Sequence, residues 1–323
     1  MNILSFACHE RSQSYLSSLP HTFYLYRAKG IKDWNYKFAP LPKNHIILNG
    51  DPNEPPSLDQ LKDLKIQLAW SQSKDGQAQI AQQVSNALSI PWINTEHTLP
   101  FPLWTNKRLE MSNKIRADLN TFVTTTQQAA WKWEGKNDTY IIPSAVDTDF
   151  FSPDDNVKKE GKVMVCCNDY RNRSWCCGFD IYQRIMVGLP SDPVGDTPGF
   201  SKAAENPVDL LNHYRRASVF LNTSTVSTFP VSLLESLSCG IPTVSTAHYG
   251  LDSIIEDGVT GFASNNETIL RERLNYVLKN YDSKEMKDMG TRAREMVKEK
   301  FSVEKQLIKW QEVFNRARGT AHH

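Results

Sequence analysis

The chain has 323 residues, 40% of them hydrophobic and 23% charged, enough for two α/β domains of about 150 residues each with a buried core in both. Lys and Arg number 37 against 36 Asp and Glu, a net charge of +1, so no broad field draws in nucleic acid or acidic lipid, and any such contact must be local. No run approaches the roughly 18 apolar residues of a membrane span.

The opening MNILSFACHE has no basic lead and no cleavage pattern, so it reads as a first strand and not as a signal peptide. Short apolar runs suited to buried strands recur at 2–7, 45–49, 65–71, 91–95, 121–126 and 139–144. Helix-like stretches lie between several of them, such as GQAQIAQQVSNALS with Ile80, Val84 and Leu88 on one face. Strand alternating with helix implies a parallel sheet covered on both faces. The stretches WTNKRLEMSNKIR and WKWEGK interleave Trp104, Trp131 and Trp133 with Lys107, Arg108, Lys114, Arg116, Lys132 and Lys136. They read either as a surface that holds phosphates and stacks bases or as a solvated helix face with half-buried Trp anchors.

The polar segment FFSPDDNVKKEGK (150–162), with Pro153 and Gly161, suits a linker between domains. A second set of elements follows, with strands at 162–167, 218–224 and 242–246 and helices around 207–217, 231–239 and 266–280. The chain closes with a helix whose Leu307, Trp310 and Phe314 share one face. These readings divide the chain into domains at 1–152 and 153–302 and a closing helix at 303–321 that returns to the first domain. His322 and His323 read as the remainder of an affinity tag and are set aside. No repeat or low-complexity tract is visible.

Two such domains place a cleft between the carboxyl ends of two sheets, where α/β folds bind ligands. No G-x-G-x-x-G follows the first strand, which argues against a single dinucleotide domain. The six cysteines, Cys8, Cys166, Cys167, Cys176, Cys177 and Cys239, include two adjacent pairs without zinc-site spacing and read as reduced thiols of a cytoplasmic protein. Neither a metal cluster, nor a nucleophilic triad, nor a phosphate-binding P-loop is legible.

The segments PVDLLNHYRRASVFLNTS and TFPVSLLESLSCGIPTVSTAHYGLDSIIEDGVTGF resemble the family-4 glycosyltransferases, retaining enzymes of the GT-B fold. The resemblance covers most of residues 60–265, and IPWINTEHT and YIIPSAVDTDFFSP extend it into the first half. It implies two doubly wound Rossmann-like domains and transfer of a sugar from a nucleotide diphosphate sugar, UDP- or GDP-linked, to a hydroxyl acceptor, with retention and without a metal or other cofactor. The implied donor segment is Ser227, Thr228, Phe229, Pro230 and Val231 with Glu235. Read physically, Ser227 and Thr228 are candidate helix caps, Pro230 suits a first turn, and a helix from about Val231 aims free N–H groups and its positive dipole end at a diphosphate. Glu235, a little over one turn on, can accept the hydroxyl protons of a ribose.

Three departures from the family pattern stand out. Ser227 occupies the place of the family's first glutamate, which in relatives contacts the sugar. Arg171 matches the family's diphosphate-binding Arg, but Cys177 stands where the partner Lys belongs, leaving Arg173 as substitute and Lys202 as a second candidate. His9, Glu10 and Arg11 replace a Gly-rich loop and, with Lys107 and Arg108, are assigned to the acceptor side. His97 corresponds to a His that relatives place near the sugar's reacting carbon. The acceptor is left among a hydroxymethylated base in phage DNA, within a host cytoplasm, and a glycan or small molecule. A non-catalytic nucleotide-sugar-binding protein is the alternative of another class, and the oligomeric state is not legible.

Overall fold

Most strands of this chain are buried on both faces: the patterns of LAWS, WINTE, LNTF and VFLN show no alternation of inside and outside. Such strands need cover on both sides, and the parallel sheet flanked by helices is the arrangement that supplies it. A computed structural model describes residues 1–73, 76–133 and 138–319; Lys136, His322 and His323 lie outside them. It divides into two compact units, Met1–Pro143 with the segment that begins at Gln306, and Ser144–Lys305.

The first unit holds β1 (Asn2–Ser5), β2 (Thr22–Leu25), β3 (His45–Ile47), β4 (Leu68–Ser71), β5 (Trp92–Glu96), β6 (Leu119–Phe122) and β7 (Thr139–Ile141) in one sheet of order β3-β2-β1-β4-β5-β6-β7. All pairings are parallel. The order reverses between β1 and β4, which creates a crevice at their carboxyl ends. One face is closed by the helix Val303–Gly319, whose Trp310 and Phe314 pack on Trp70 at ring distances of 4.8 and 5.8 Å, beside Ile3, Phe23 and Ile93. Leu307 lies against the same cluster.

The second unit holds β8 (Val163–Cys166), β9 (Ser191–Val194), β10 (Val219–Asn222), β11 (Thr243–Ser245) and β12 (Phe262–Ala263), in the order β12-β11-β10-β8-β9 and again all parallel. Its reversal lies between β8 and β10. The helix Val231–Ser238 packs closely on Lys284–Phe301 because Gly290 has no side chain: a Cβ there would stand 2.0 Å from the Gly240 carbonyl oxygen.

Several expectations shift. The segment 150–162 is not a free linker, since the chain passes between units at Pro143–Ser144 and Phe151 is buried against Tyr214 with a ring distance of 5.9 Å. Its carbonyl accepts from Ser238 Oγ and Arg294 Nη1. The run 121–126 is strand only to Phe122; Thr124 Oγ1 accepts the Gln127 N–H and starts a helix, so a hydroxyl cap outweighs β-branched propensity. β2 was hidden by its alternation of half-buried and buried residues among polar neighbours, and β9 by Pro193, which an edge strand tolerates.

Candidate functional site

In the second unit, the loops after β8 and β10 meet at the reversal point. Thr225 and Val226 N–H groups both donate to the Cys176 carbonyl, at 2.9 and 3.0 Å, and Thr223 Oγ1 donates to the Cys177 carbonyl at 2.8 Å. Tyr170 Oη hydrogen-bonds Thr223 Oγ1. This close approach requires Gly178, whose φ is +72° and whose missing Cβ would lie 2.0 Å from the Thr223 carbonyl oxygen. The residues that carry the sequence motifs are therefore locked to one another through backbone.

The two arginines differ. Arg171 donates to the carbonyls of Pro198 and Gly199 at 3.3 and 3.2 Å and lies over the rings of Phe179 and Phe200, so its guanidinium ties the loop after β8 to the loop after β9. Arg173 stands at the N-cap of the short helix Ser174–Cys177, with Nη1 3.5 Å from the Asn168 carbonyl and the guanidinium beside the thiols of Cys167, Cys176 and Cys177; it makes no short carboxylate pair among the described residues. Lys202 is exposed, and its carbonyl accepts from Gly195 N at 2.9 Å. Cys167 sits beside Arg173; the hydrogen bond from Cys177, with help from the Arg173 charge, holds its thiol below the usual range, and the same pairing and burial push Cys177 up.

The donor segment departs from its sequence reading in two ways. The helix begins at Val231 with Pro230 at its N-cap position, so neither Ser227 nor Thr228 stands at that position. Both lie in the preceding loop, partly exposed. Phe229 is buried, with its ring 5.1 Å from that of Phe301. Glu235 is 3% exposed and accepts a hydrogen bond from Tyr214 Oη at 2.8 Å. Burial, then nearby thiols and the Glu235 carboxylate, keep the Tyr214 proton on its oxygen, which makes it a fixed donor. Tyr214, inside the helix Pro207–Arg216, was not singled out from sequence; nothing in HYRR distinguishes it from a core aromatic.

In the first unit, the loops after β1, β4 and β5 gather at the other reversal point. His97, directly after β5, has its ring 4.5 Å from that of His9, and Nε2 lies 3.2 Å from Gln72 Oε1. Gln72 Nε2 donates to the Phe6 carbonyl at 3.1 Å, which fixes the amide so that its oxygen faces His97. His97 Nε2 must then carry the hydrogen, and Nδ1 the lone pair. Burial, and for His97 the neighbouring His9, lower both imidazole pKa values, so both rings are neutral at pH 7. Cys8, adjoining His9, is pushed up to about 12 by burial, by Glu10 and by Glu96, against the opposing pull of Lys32.

Two acceptor-side assignments change character. Glu10 is buried and committed to Lys32 Nζ at 2.8 Å and to the Asn35 N–H at 3.1 Å, a bond set that stabilises the loop. Arg11 is half-buried in the same short helix. Lys107 and Arg108 are exposed, with the Arg108 guanidinium 5.1 Å from the Trp104 ring. Trp131 and Trp133 are 3% and 1% exposed, in a cluster with Leu109 and Phe122, so neither offers a face to a base. All six cysteines are free thiols, and no helix among the described residues is long and apolar enough to cross a membrane.

Two doubly wound parallel units with residue clusters at their reversal points define the GT-B class, and the solved structures agree. HepE of Anabaena, in complex with UDP, has a TM-score of 0.76 at 16% identity over 98% of this chain and 99% of that one. Sucrose-phosphate synthase of Thermosynechococcus elongatus also has a TM-score of 0.76, at 14% identity over 98% of each chain. Residues 199–296 match the family described as glycosyl transferases group 1. Within the curated proteins, N-acetyl-alpha-D-glucosaminyl L-malate synthase of Bacillus anthracis is 30% identical over 112 residues, and the putative colanic acid biosynthesis glycosyltransferase WcaL of Salmonella typhimurium 33% over 119; each match spans 34% of this chain and 28% of the relative.

Proposed function

We propose that the chain is a glycosyltransferase that binds a nucleotide diphosphate sugar in its second unit and transfers the sugar to a hydroxyl acceptor. The observation that carries this is the joining of the Arg173 loop, the 223–230 loop and the helix of Glu235 at one reversal point, inside and beside the segment that matches glycosyl transferases group 1. HepE binds UDP in its solved complex, which supports a uridine donor here.

Glu235, oriented by Tyr214, would accept ribose hydroxyls through oxygen lone pairs other than the one Tyr214 uses. Arg173 and the first N–H groups of the Val231 helix would meet the diphosphate, and they stabilise the charge that grows as it departs. That electrostatic role needs no metal. Retention follows if a phosphate oxygen of the donor takes the acceptor's proton on the face from which the diphosphate leaves. Arg171 supports the loop that presents Arg173.

For the acceptor, the burial of Trp131 and Trp133 leaves only Trp104 of the three tryptophans partly exposed, which weakens the case for stacking on a DNA base. A glycan or small-molecule hydroxyl is the better reading. One pair of observations favours a non-catalytic binder: Ser227 and Cys177 stand where a charged pair would hold sugar and phosphate. A thermal-shift panel of UDP- and GDP-sugars, followed by measurement of released nucleotide, tests the proposal. A donor that raises Tm and is turned over supports transfer; one that raises Tm without nucleotide release supports the binder. Ser227→Glu should change the preferred sugar and leave nucleotide affinity alone.

A further inference from the structure

The first unit brings together three metal-binding side chains that sequence spacing conceals, because His97 is remote in the chain from Cys8 and His9. Their ligand atoms all lie within 4.8 Å of one another. Tetrahedral zinc with S and N ligands needs separations of about 3.5 Å, so the group closes on an ion by shifts of about 1 Å. Part of His9 is open to solvent, which gives its side chain room for that shift. We propose that Cys8, His9 and His97 form a binding site for a thiophilic divalent cation of the zinc type, with a fourth position open to water.

The surroundings are those of a built site. His9 holds a left-handed backbone, φ 48° and ψ 58°, uncommon for a non-glycine residue, and this places its side chain beside that of Cys8. The loop is pinned from below: Gln13 Oε1 accepts the Cys8 N–H at 3.2 Å, Gln13 Nε2 donates to the Phe6 carbonyl at 3.1 Å, and the Gln13 N–H donates to the His9 carbonyl at 3.0 Å. Gln72, 3.2 Å from His97 Nε2, supplies an outer hydrogen bond of the kind that orients metal-bound histidines. One thiol and two imidazoles are a soft to borderline donor set, which selects zinc over magnesium or calcium. Of the charges nearby, Lys32 opposes a cation and the Glu10 and Glu96 carboxylates favour one, Glu10 being the ion-pair partner of Lys32.

Titration of the reduced full chain with Co²⁺, followed by displacement with Zn²⁺, tests it by absorption without reference to activity. The expected result is one Co²⁺ per chain with a thiolate-to-cobalt charge-transfer band that Zn²⁺ abolishes. Cys8→Ser should lose the band, and Gln72→Ala should weaken binding about tenfold. His9→Asn, which tolerates the left-handed backbone, should also weaken binding and decides the matter should Cys8→Ser fail to fold. Cys167→Ser and Cys177→Ser should keep the band. Absence of the band, its survival in Cys8→Ser, full-strength binding in His9→Asn, or its loss in the Cys167 or Cys177 variant overturns the proposal.

Discussion

The two units use the same architecture and present opposite chemistry at their reversal points. The first gathers neutral, proton-poor groups, His9 and His97, around a half-buried thiol. The second gathers fixed charge, the Glu235 carboxylate under Tyr214 and the Arg173 guanidinium beside Cys167. A parallel sheet whose order reverses offers a crevice whatever its sequence, so what binds there depends on a handful of loop residues. In the second unit those residues are contiguous motifs held by backbone hydrogen bonds. In the first they come from two loops and are held by two glutamines, Gln13 and Gln72.

The sharpest way to break the comparison is at Gly178. Gly178→Ala forces a Cβ to 2.0 Å from the Thr223 carbonyl oxygen at φ +72°, and it should destabilise the second unit by on the order of 3–4 kcal/mol. Gly50→Ala in the first unit meets nothing within 4 Å and should be close to neutral. Of the eight tryptophans only Trp175 lies in the second unit, so urea unfolding followed by circular dichroism should lose midpoint in Gly178→Ala while tryptophan fluorescence reports a less affected first unit.

Acid should act the other way round. His45 is buried, stacked 4.7 Å from Phe23, and burial lowers its pKa from 6.5 to about 4. Below pH 6.5 the unfolded chain binds a proton that the folded one refuses, so stability falls as pH drops from about 6.5 to about 4, by up to about 3 kcal/mol. His9, His21 and His97 shift in the same direction. Tryptophan fluorescence should therefore show the first unit losing urea midpoint between pH 7 and pH 4.5, and His45→Leu should flatten part of that slope. A midpoint that rises on acidification contradicts the assignment.

Smaller effects sharpen the second unit. Tyr214→Phe removes one charge-assisted hydrogen bond to Glu235 and should cost about 1.5–3 kcal/mol, split between stability and nucleotide affinity, as urea melts and calorimetry can measure. Cys167, with its thiol held below the usual range, should alkylate fastest of the six cysteines at neutral pH, in contrast to Cys8 and Cys239, both pushed up to about 12. Mass mapping after brief iodoacetamide treatment gives the order.

How much could be read in advance follows the same division. The parallel sheets were legible because buried strands leave unbroken apolar runs, and the Glu235 helix because Pro230 and the apolar face from Val231 mark its start. The cap position was misplaced because loop geometry, and not residue type, decides where the helix starts, and it starts after Pro230. Phe229 looked like part of a binding motif, but its partner Phe301 is distant in sequence. The Cys8–His9–His97 group was invisible for the same reason: β4 must first seat itself between β1 and β5 before the three loops converge. A buried Trp131 and Trp133 follow from packing on Phe122 that no local pattern announces.

The central claim is that nucleotide binding belongs to the second unit, through Arg173 and Glu235. Isothermal titration of UDP and GDP into the wild-type chain, Arg173→Gln, Glu235→Gln and His97→Gln measures it directly. At least one nucleotide should bind, the first two variants should each lose about 1.5–3 kcal/mol of affinity, and His97→Gln should retain wild-type affinity. Unchanged affinity in both second-unit variants, with loss in His97→Gln, would contradict the account.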